Sequence, residues 1–96
     1  DDKPLVHLVD DDEAIRRSAG FMLKSSGFQV KAYESGVELM KQVRDLDPGC
    51  ILLDIRMPGM DGLETQRALR EAGCMLPVII MTGHGDVTVA VQAMKA

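Results

Sequence analysis

Short apolar runs alternate along the chain with segments of helical periodicity, and this alternation limits the fold more than any other feature. Each run is long enough for one strand: Leu5–Val9, Phe28–Tyr33, Cys50–Asp54 and Pro77–Thr82. Strict alternation of strand and helix is typical of βα units arranged around a parallel sheet. The sequence therefore predicts an α/β fold with four strands, each followed by a helix.

The third apolar run indicates how the sheet is covered. Cys50–Asp54 is apolar without interruption until its closing carboxylate. Continuous apolar runs are typical of central parallel strands that are buried on both faces. We therefore expect a doubly wound parallel sheet, with helices packed on either side and this strand near the middle.

Capping signals divide the segments between the runs. Helix starts are indicated at four places: Asp12-Glu13, Ser35 with Glu38, Asp61 with Glu64, and Asp86. Ser35 with Glu38 and Asp61 with Glu64 have capping-box spacing. In a capping box the side chain of the first residue accepts the backbone N–H of the glutamate, and the glutamate side chain accepts the backbone N–H of the first residue. The second helix is predicted from Gly36 to about Asp45. Gly27 is predicted as the left-handed residue after the first helix.

Composition excludes several functions. The 96 residues suit one domain, and 15 acidic against 11 basic residues give a net charge of −4. Because the basic residues are scattered, direct contact with nucleic acid is not expected. No apolar stretch approaches the length of a membrane span or a signal peptide, so we expect a cytoplasmic protein. Cys50 and Cys74 lack metal-ligand spacing and are interpreted as reduced packing residues.

Polar side chains follow three of the predicted strands. Asp10 and Asp11 end the first strand, Asp54 ends the third, and Thr82 ends the fourth. Ligands of open parallel sheets bind beyond the carboxyl ends of the strands, so these groups are expected to share one pocket. Clustered carboxylates need a counter-ion, and all-oxygen ligands suit Mg²⁺. An aspartate in such a pocket can accept a phosphoryl group and form an acyl phosphate.

Three motifs lie at the ends of the predicted strands: Val9-Asp10-Asp11, Leu52-Leu53-Asp54-Ile55-Arg56-Met57-Pro58-Gly59-Met60-Asp61-Gly62 and Met81-Thr82-Gly83-His84-Gly85. They resemble the signature regions of response-regulator receiver domains. The resemblance covers the whole chain. Three stretches are most similar to the FixJ-type subgroup: Val6–Asp11, Thr82–Val87 and Ala90–Ala96. The resemblance implies the flavodoxin-like (βα)5 receiver fold with strand order 2-1-3-4-5, of which this chain holds the first four βα units.

The resemblance also implies a role for each site residue. Asp54 accepts a phosphoryl group from a histidine kinase. Mg²⁺ is bound directly by Asp11, by Asp54 and by the backbone carbonyl of Arg56, while Asp10 acts through water or as support. Thr82 turns toward the phosphate after modification. The domain would catalyse only its own phosphorylation and dephosphorylation, and a C-terminal helix-turn-helix DNA-binding domain would be its output.

One residue of the family pattern is missing. Receivers carry a lysine at the end of the fifth strand, and Ala96 closes this sequence within the predicted fourth helix. Residues 1–96 are therefore interpreted as a receiver domain incomplete at its C-terminus. If the chain ends there, the fourth strand becomes an open edge, which favours a homodimer or a domain swap.

Two alternatives remain at the level of sequence. A phosphatase of the haloacid dehalogenase type also uses an aspartate nucleophile, but it needs a second aspartate where this chain has Arg56. A degenerate receiver would dimerise or dock partners without being phosphorylated, and the intact acidic pair argues against it. His84 is interpreted as a loop residue between glycines, and Met57 and Met60 as loop residues available to partners.

Overall fold

The strands form one parallel sheet. The computed structural model describes residues 3–81, in which the strands are β1 (Leu5–Val9), β2 (Gln29–Tyr33), β3 (Cys50–Asp54) and β4 (Val78–Met81). Their order is β2-β1-β3-β4, and all three pairings are parallel. This agrees with the first four positions of the flavodoxin-like order. Helices α1 (Glu13–Ser25), α2 (Gly36–Lys41) and α3 (Gly62–Glu71) connect the strands.

Each face of the sheet has its own apolar core. On one face α1 packs through Ala19 and Leu23 against a cluster that includes Leu52 of β3. On the other face α2 and α3 contribute Leu39 and Leu69 to a second cluster. Residues of β3 belong to both clusters, and four of its five residues are buried. The predicted doubly wound sheet with a central third strand is confirmed.

The helix starts follow the predicted capping chemistry with one exception. Asp12 caps α1 by accepting the N–H groups of Ala14 and Ile15. At α3 the capping box is complete, because Asp61 and Glu64 each accept the backbone N–H of the other. At α2 the prediction of a hydrogen bond from the Ser35 N–H to the Glu38 carboxylate was wrong. Ser35 accepts the Glu38 N–H, but the Glu38 carboxylate binds Lys41 one turn further along.

The ends of the helices give a further correction. Gly27 has a φ of 96° and follows α1 as predicted. Its N–H and that of Phe28 return to the carbonyls of Lys24 and Leu23, so the cap is a Schellman motif. Phe28 therefore belongs to the cap, and β2 begins at Gln29. The predicted second helix is also divided, since α2 ends at Lys41 and a separate 3₁₀ turn covers Val43–Asp45.

A buried histidine of β1 forms hydrogen bonds with β2 and with the segment that precedes β3. His7 is fully buried, and its Nδ1 lies 3.0 Å from the Tyr33 hydroxyl of β2. Its Nε2 donates to the Asp47 carbonyl at 2.9 Å, so in the neutral ring Nδ1 accepts from the tyrosine. The Asp47 carboxylate in turn accepts from the exposed ammonium of Lys31. This ion pair lowers the pKa of Asp47 and raises that of Lys31.

The two methionines in the loop after β3 and the two cysteines are all buried or half-buried. Met57 was expected to face partners, but it is buried in the second core cluster, and Met60 is half-buried. Cys50 and Cys74 are free and half-buried, and burial raises the pKa of the Cys50 thiol. Within residues 3–81 no helix is long and apolar enough to cross a membrane. The predicted fourth helix, Asp86 and His84 lie outside the described residues.

Candidate metal centre

Three carboxylates meet at the carboxyl edge of the sheet. Asp10 and Asp11 follow β1, and Asp54 ends the neighbouring β3. One carboxylate oxygen from each lies within 4.8 Å of the others. Asp10 and Asp54 are buried, with 1% and 7% of their surface exposed, whereas Asp11 is exposed. The cluster is therefore buried at Asp10 and Asp54 and open to solvent at Asp11.

The charges of this cluster favour a bound cation. At such separations two carboxylates repel each other by about 3 kcal/mol at the effective dielectric constant, ~20, that applies near a protein surface. A divalent cation removes that repulsion, and carboxylate oxygens are the ligands preferred by hard ions such as Mg²⁺. Mg²⁺ also keeps several waters, which suits a site open on the Asp11 side. The residues present thus fit a Mg²⁺ site.

Main-chain groups and one arginine hold Asp10 in place. Its N–H donates to the Tyr33 carbonyl at 3.2 Å, and its Oδ1 accepts the Asp12 N–H at 2.9 Å. Its own carbonyl accepts Nη1 of Arg16 at 2.7 Å. The Asp10 backbone is therefore tied both to β2 and to the first turns of α1.

Asp54 is held from the loop that follows it. Its Oδ1 accepts the Arg56 N–H at 3.1 Å. The N–H of Ile55, the residue directly after Asp54, donates to the Met81 carbonyl of β4. The N-terminus of α3 also comes close to this strand end. A Cβ at residue 62 would lie 2.7 Å from the Asp54 carbonyl oxygen, so only glycine allows this approach.

The structure brings together part of the predicted site. Asp10, Asp11 and Asp54 converge as expected, and Arg56 contacts Asp54 through its N–H. Metal binding by the Arg56 carbonyl stays a prediction. β4 ends at Met81 beside Asp54, and Thr82, the next residue, lies outside the described residues. No role was assigned to Arg16 from the sequence, and Gly62 appeared there only as the last residue of the second motif. Both roles come from close packing.

Comparison with known proteins identifies the class to which this fold and site belong. The family model of the response regulator receiver domain matches residues 6–96. The chain belongs to this family, whose members are signalling domains of two-component systems. Receiver domains bind Mg²⁺ at an acidic pocket, and Asp10, Asp11 and Asp54 form such a pocket here. Membership of the family sets aside the haloacid dehalogenase alternative.

Within the family, the similar relatives include FixJ-type transcriptional regulators. The chain is 49% identical to the transcriptional regulatory protein FixJ of Azorhizobium caulinodans over 90 residues, which are 94% of this chain and 43% of that protein. It is 43% identical to the tetrathionate response regulatory protein TtrR of Salmonella typhimurium, over 94% of this chain and 44% of that protein. The chain thus spans less than half the length of these relatives.

Solved structures agree with this assignment. The crystal structure of FixJ-N superimposes with a TM-score of 0.81 at 42% identity, covering 99% of this chain and 76% of that one. Full-length FixJ from B. japonicum gives a TM-score of 0.79 at 41% identity, covering 97% of this chain and 46% of that one. The receiver fold and the FixJ-type resemblance are both confirmed.

Proposed function

We propose that this domain accepts a phosphoryl group on Asp54 from a histidine kinase, in a Mg²⁺-dependent reaction, and thereby controls a transcriptional output. One observation carries the proposal: the Asp54 carboxylate lies within 4.8 Å of those of Asp10 and Asp11 at the open edge of a receiver sheet. A nucleophilic carboxylate beside two carboxylates that can hold Mg²⁺, directly or through water, suits phosphoryl transfer to aspartate.

Four groups would hold the metal ion. Asp11, Asp54 and the Arg56 carbonyl are assigned as direct ligands. Asp10, which is buried and accepts the Asp12 N–H, is assigned a supporting role through water. When bound, Mg²⁺ neutralises negative charge that spreads over the phosphoryl oxygens. The exposed position of Asp11 leaves the open side of the pocket for the incoming phosphoryl group.

Asp54 acts as the nucleophile. Since the Arg56 N–H binds Oδ1, the carboxylate is fixed in orientation and we assign the attack to Oδ2. A bond forms between this oxygen and phosphorus while the bond from phosphorus to the histidine nitrogen of the kinase breaks. The electron pair of that bond returns to the imidazole, which takes up a proton. The transfer involves no oxidation or reduction.

The modified pocket would then change the surface of the domain. We assign to Thr82 the hydroxyl that turns toward the new phosphate, a two-state shift of the kind phosphorylation produces. The relatives' names, transcriptional regulatory proteins among them, support an output of gene regulation. We propose a C-terminal helix-turn-helix domain as that output and a cytoplasmic location for the whole protein.

The test is phosphorylation by a small acyl phosphate in the presence of Mg²⁺, followed by measurement of the intact mass. The wild-type protein is expected to gain one phosphoryl group, and only when Mg²⁺ is present. Asp54→Asn should gain none. The matched control is Asp47→Asn, which removes an exposed carboxylate that pairs with Lys31 instead of joining the acidic cluster. Equal phosphorylation of Asp54→Asn and wild type would overturn the proposal.

A further inference from the structure

The peptide bond between Asp10 and Asp11 is held by a side chain that the family motifs do not include. Arg16 lies in the early turns of α1 and reaches back so that its Nη1 donates to the Asp10 carbonyl at 2.7 Å. That carbonyl belongs to the peptide group linking the two acidic residues. The orientation of this peptide group affects the direction in which the Asp11 carboxylate leaves the main chain.

The two carboxylates are secured to different degrees. The Asp10 side chain is buried and accepts the Asp12 N–H, so its position is fixed locally. Asp11 is exposed, and in residues 3–81 no donor binds its carboxylate. The direction of Asp11 therefore depends on its backbone, and the hydrogen bond from Arg16 is a side-chain contact that holds the preceding peptide group.

We propose that Arg16 is a positioning residue that gives the acidic pocket its geometry for Mg²⁺. The inference rests on the proposed function, since it assumes that the pocket binds Mg²⁺. Mg²⁺ demands near-ideal octahedral ligands at about 2.0–2.1 Å, whereas Ca²⁺ accepts flexible geometry at about 2.3–2.6 Å. A rotated Asp10–Asp11 peptide group therefore weakens Mg²⁺ binding more than Ca²⁺ binding.

Charge and geometry predict opposite results for this residue. The guanidinium of Arg16 is positive, so by Coulomb's law alone its removal would strengthen the binding of any cation. Loss of orientation weakens Mg²⁺ binding instead and changes the preference between the two ions. The ratio of Mg²⁺ to Ca²⁺ affinity thus separates positioning from a charge effect, which acts on both ions alike.

The experiment is calorimetric titration of Arg16→Met with Mg²⁺ and, separately, with Ca²⁺. Removing a residue that orients metal ligands typically costs 10–100-fold in affinity, so we expect Mg²⁺ binding to fall about tenfold and Ca²⁺ binding to change little. The control is Arg17→Met, one residue further along α1. Arg17 is exposed and pairs with Glu13, so its removal should leave the affinity ratio unchanged.

A second variant keeps the test decisive if Arg16→Met does not fold. Arg16→Lys retains the charge but shortens the side chain and removes the planar fork, so the same fall in the affinity ratio is expected. A wild-type ratio in either folded variant would overturn the role of Arg16. Failure of the proposed function looks different: the wild-type protein would then bind no Mg²⁺, or Asp11→Asn would bind it equally well.

Discussion

At the scale of single residues, buried polar side chains contribute to the fold through partners in other elements. His7 shows the principle, because a fully buried imidazole would be costly without partners for both ring nitrogens. The Tyr33 hydroxyl and the Asp47 carbonyl supply those partners. In this way His7 joins β1 to β2 and to the segment that precedes β3.

The Tyr33→Phe variant tests this contribution. It removes the hydroxyl and leaves His7 Nδ1 buried without its partner, so the free energy of unfolding should fall by about 1–3 kcal/mol. Urea denaturation of both proteins measures the difference. Because the ring and its packing are retained, equal stability of variant and wild type would show that the hydrogen bond does not stabilise the fold.

A pH effect is expected at the neighbouring ion pair. The hydrogen bond and charge of Lys31 lower the pKa of Asp47 below its ordinary value of 3.8. The pair therefore stabilises the fold above that value, and its contribution is lost as the pH falls through the lowered pKa of the folded state. An NMR titration of the Asp47 carboxyl carbon should show the low pKa. Lys31→Met should raise it toward 3.8, and an unchanged value would contradict this account.

The site could be predicted from the sequence only where a residue's position follows from an element boundary. Asp10, Asp11 and Asp54 follow strands, and parallel strands bring their carboxyl ends to one edge. Arg16 is different, since its hydrogen bond depends on how α1 turns back over the strand end. His7 lies within an apolar run, and its two hydrogen-bond partners come from residues 26 and 40 positions away.

At the scale of elements, the approach of α3 to β3 fixes the loop that carries the site. Gly62 is the first residue of α3, and its N–H donates to the Ile55 carbonyl at 3.1 Å. The absence of a side chain at this position lets the helix lie directly against the Asp54 peptide group. The geometry of the pocket therefore depends on the docking of this helix.

The Gly62→Ala variant tests the dependence. Its Cβ would lie 2.8 Å from the Ile55 Cα, so α3 must shift, and steric strain of this kind typically costs about 1–3 kcal/mol. Urea denaturation should show that loss. Gly20→Ala is the matched control, because a Cβ there has no neighbour within 4 Å and alanine favours helix by about 0.5–1 kcal/mol. Equal effects of the two substitutions would contradict the role assigned to Gly62.

Strands and helix starts could be predicted well, and helix ends less well. β1 and β3 have the predicted bounds because each apolar run is closed by a polar residue. The end of α2 could not be predicted, since no glycine or proline lies between Lys41 and Pro48 and tertiary packing decides where the α-helix gives way to a 3₁₀ turn. Phe28 continues the apolar pattern of β2, but the Schellman motif after α1 uses its N–H.

At the scale of the whole molecule, the acidic cluster links metal binding to stability. A ligand that binds only the folded state raises the free energy of unfolding, by about 2.7 kcal/mol at a hundred times its dissociation constant. The three carboxylates repel one another without a cation, so the pocket should destabilise the metal-free protein and stabilise the bound one.

The variant Asp11→Asn separates these two effects. Without Mg²⁺ it should unfold at a higher temperature than the wild type, because one repelling charge is gone. With saturating Mg²⁺ it should gain little, whereas the wild type should gain several degrees. Thermal unfolding with and without Mg²⁺ measures both. The exposed Asp45→Asn serves as the control, and an undiminished Mg²⁺ effect in Asp11→Asn would contradict the assigned site.

The most direct test of the central claim is to locate the phosphoryl group itself. After treatment with an acyl phosphate and Mg²⁺, borohydride reduces an aspartyl phosphate to homoserine, and peptide mass spectrometry then identifies the modified residue. We predict homoserine at position 54 when Mg²⁺ and donor are both present, and at no position when either is omitted. Modification of a different residue, or of Asp54 without Mg²⁺, would contradict the account.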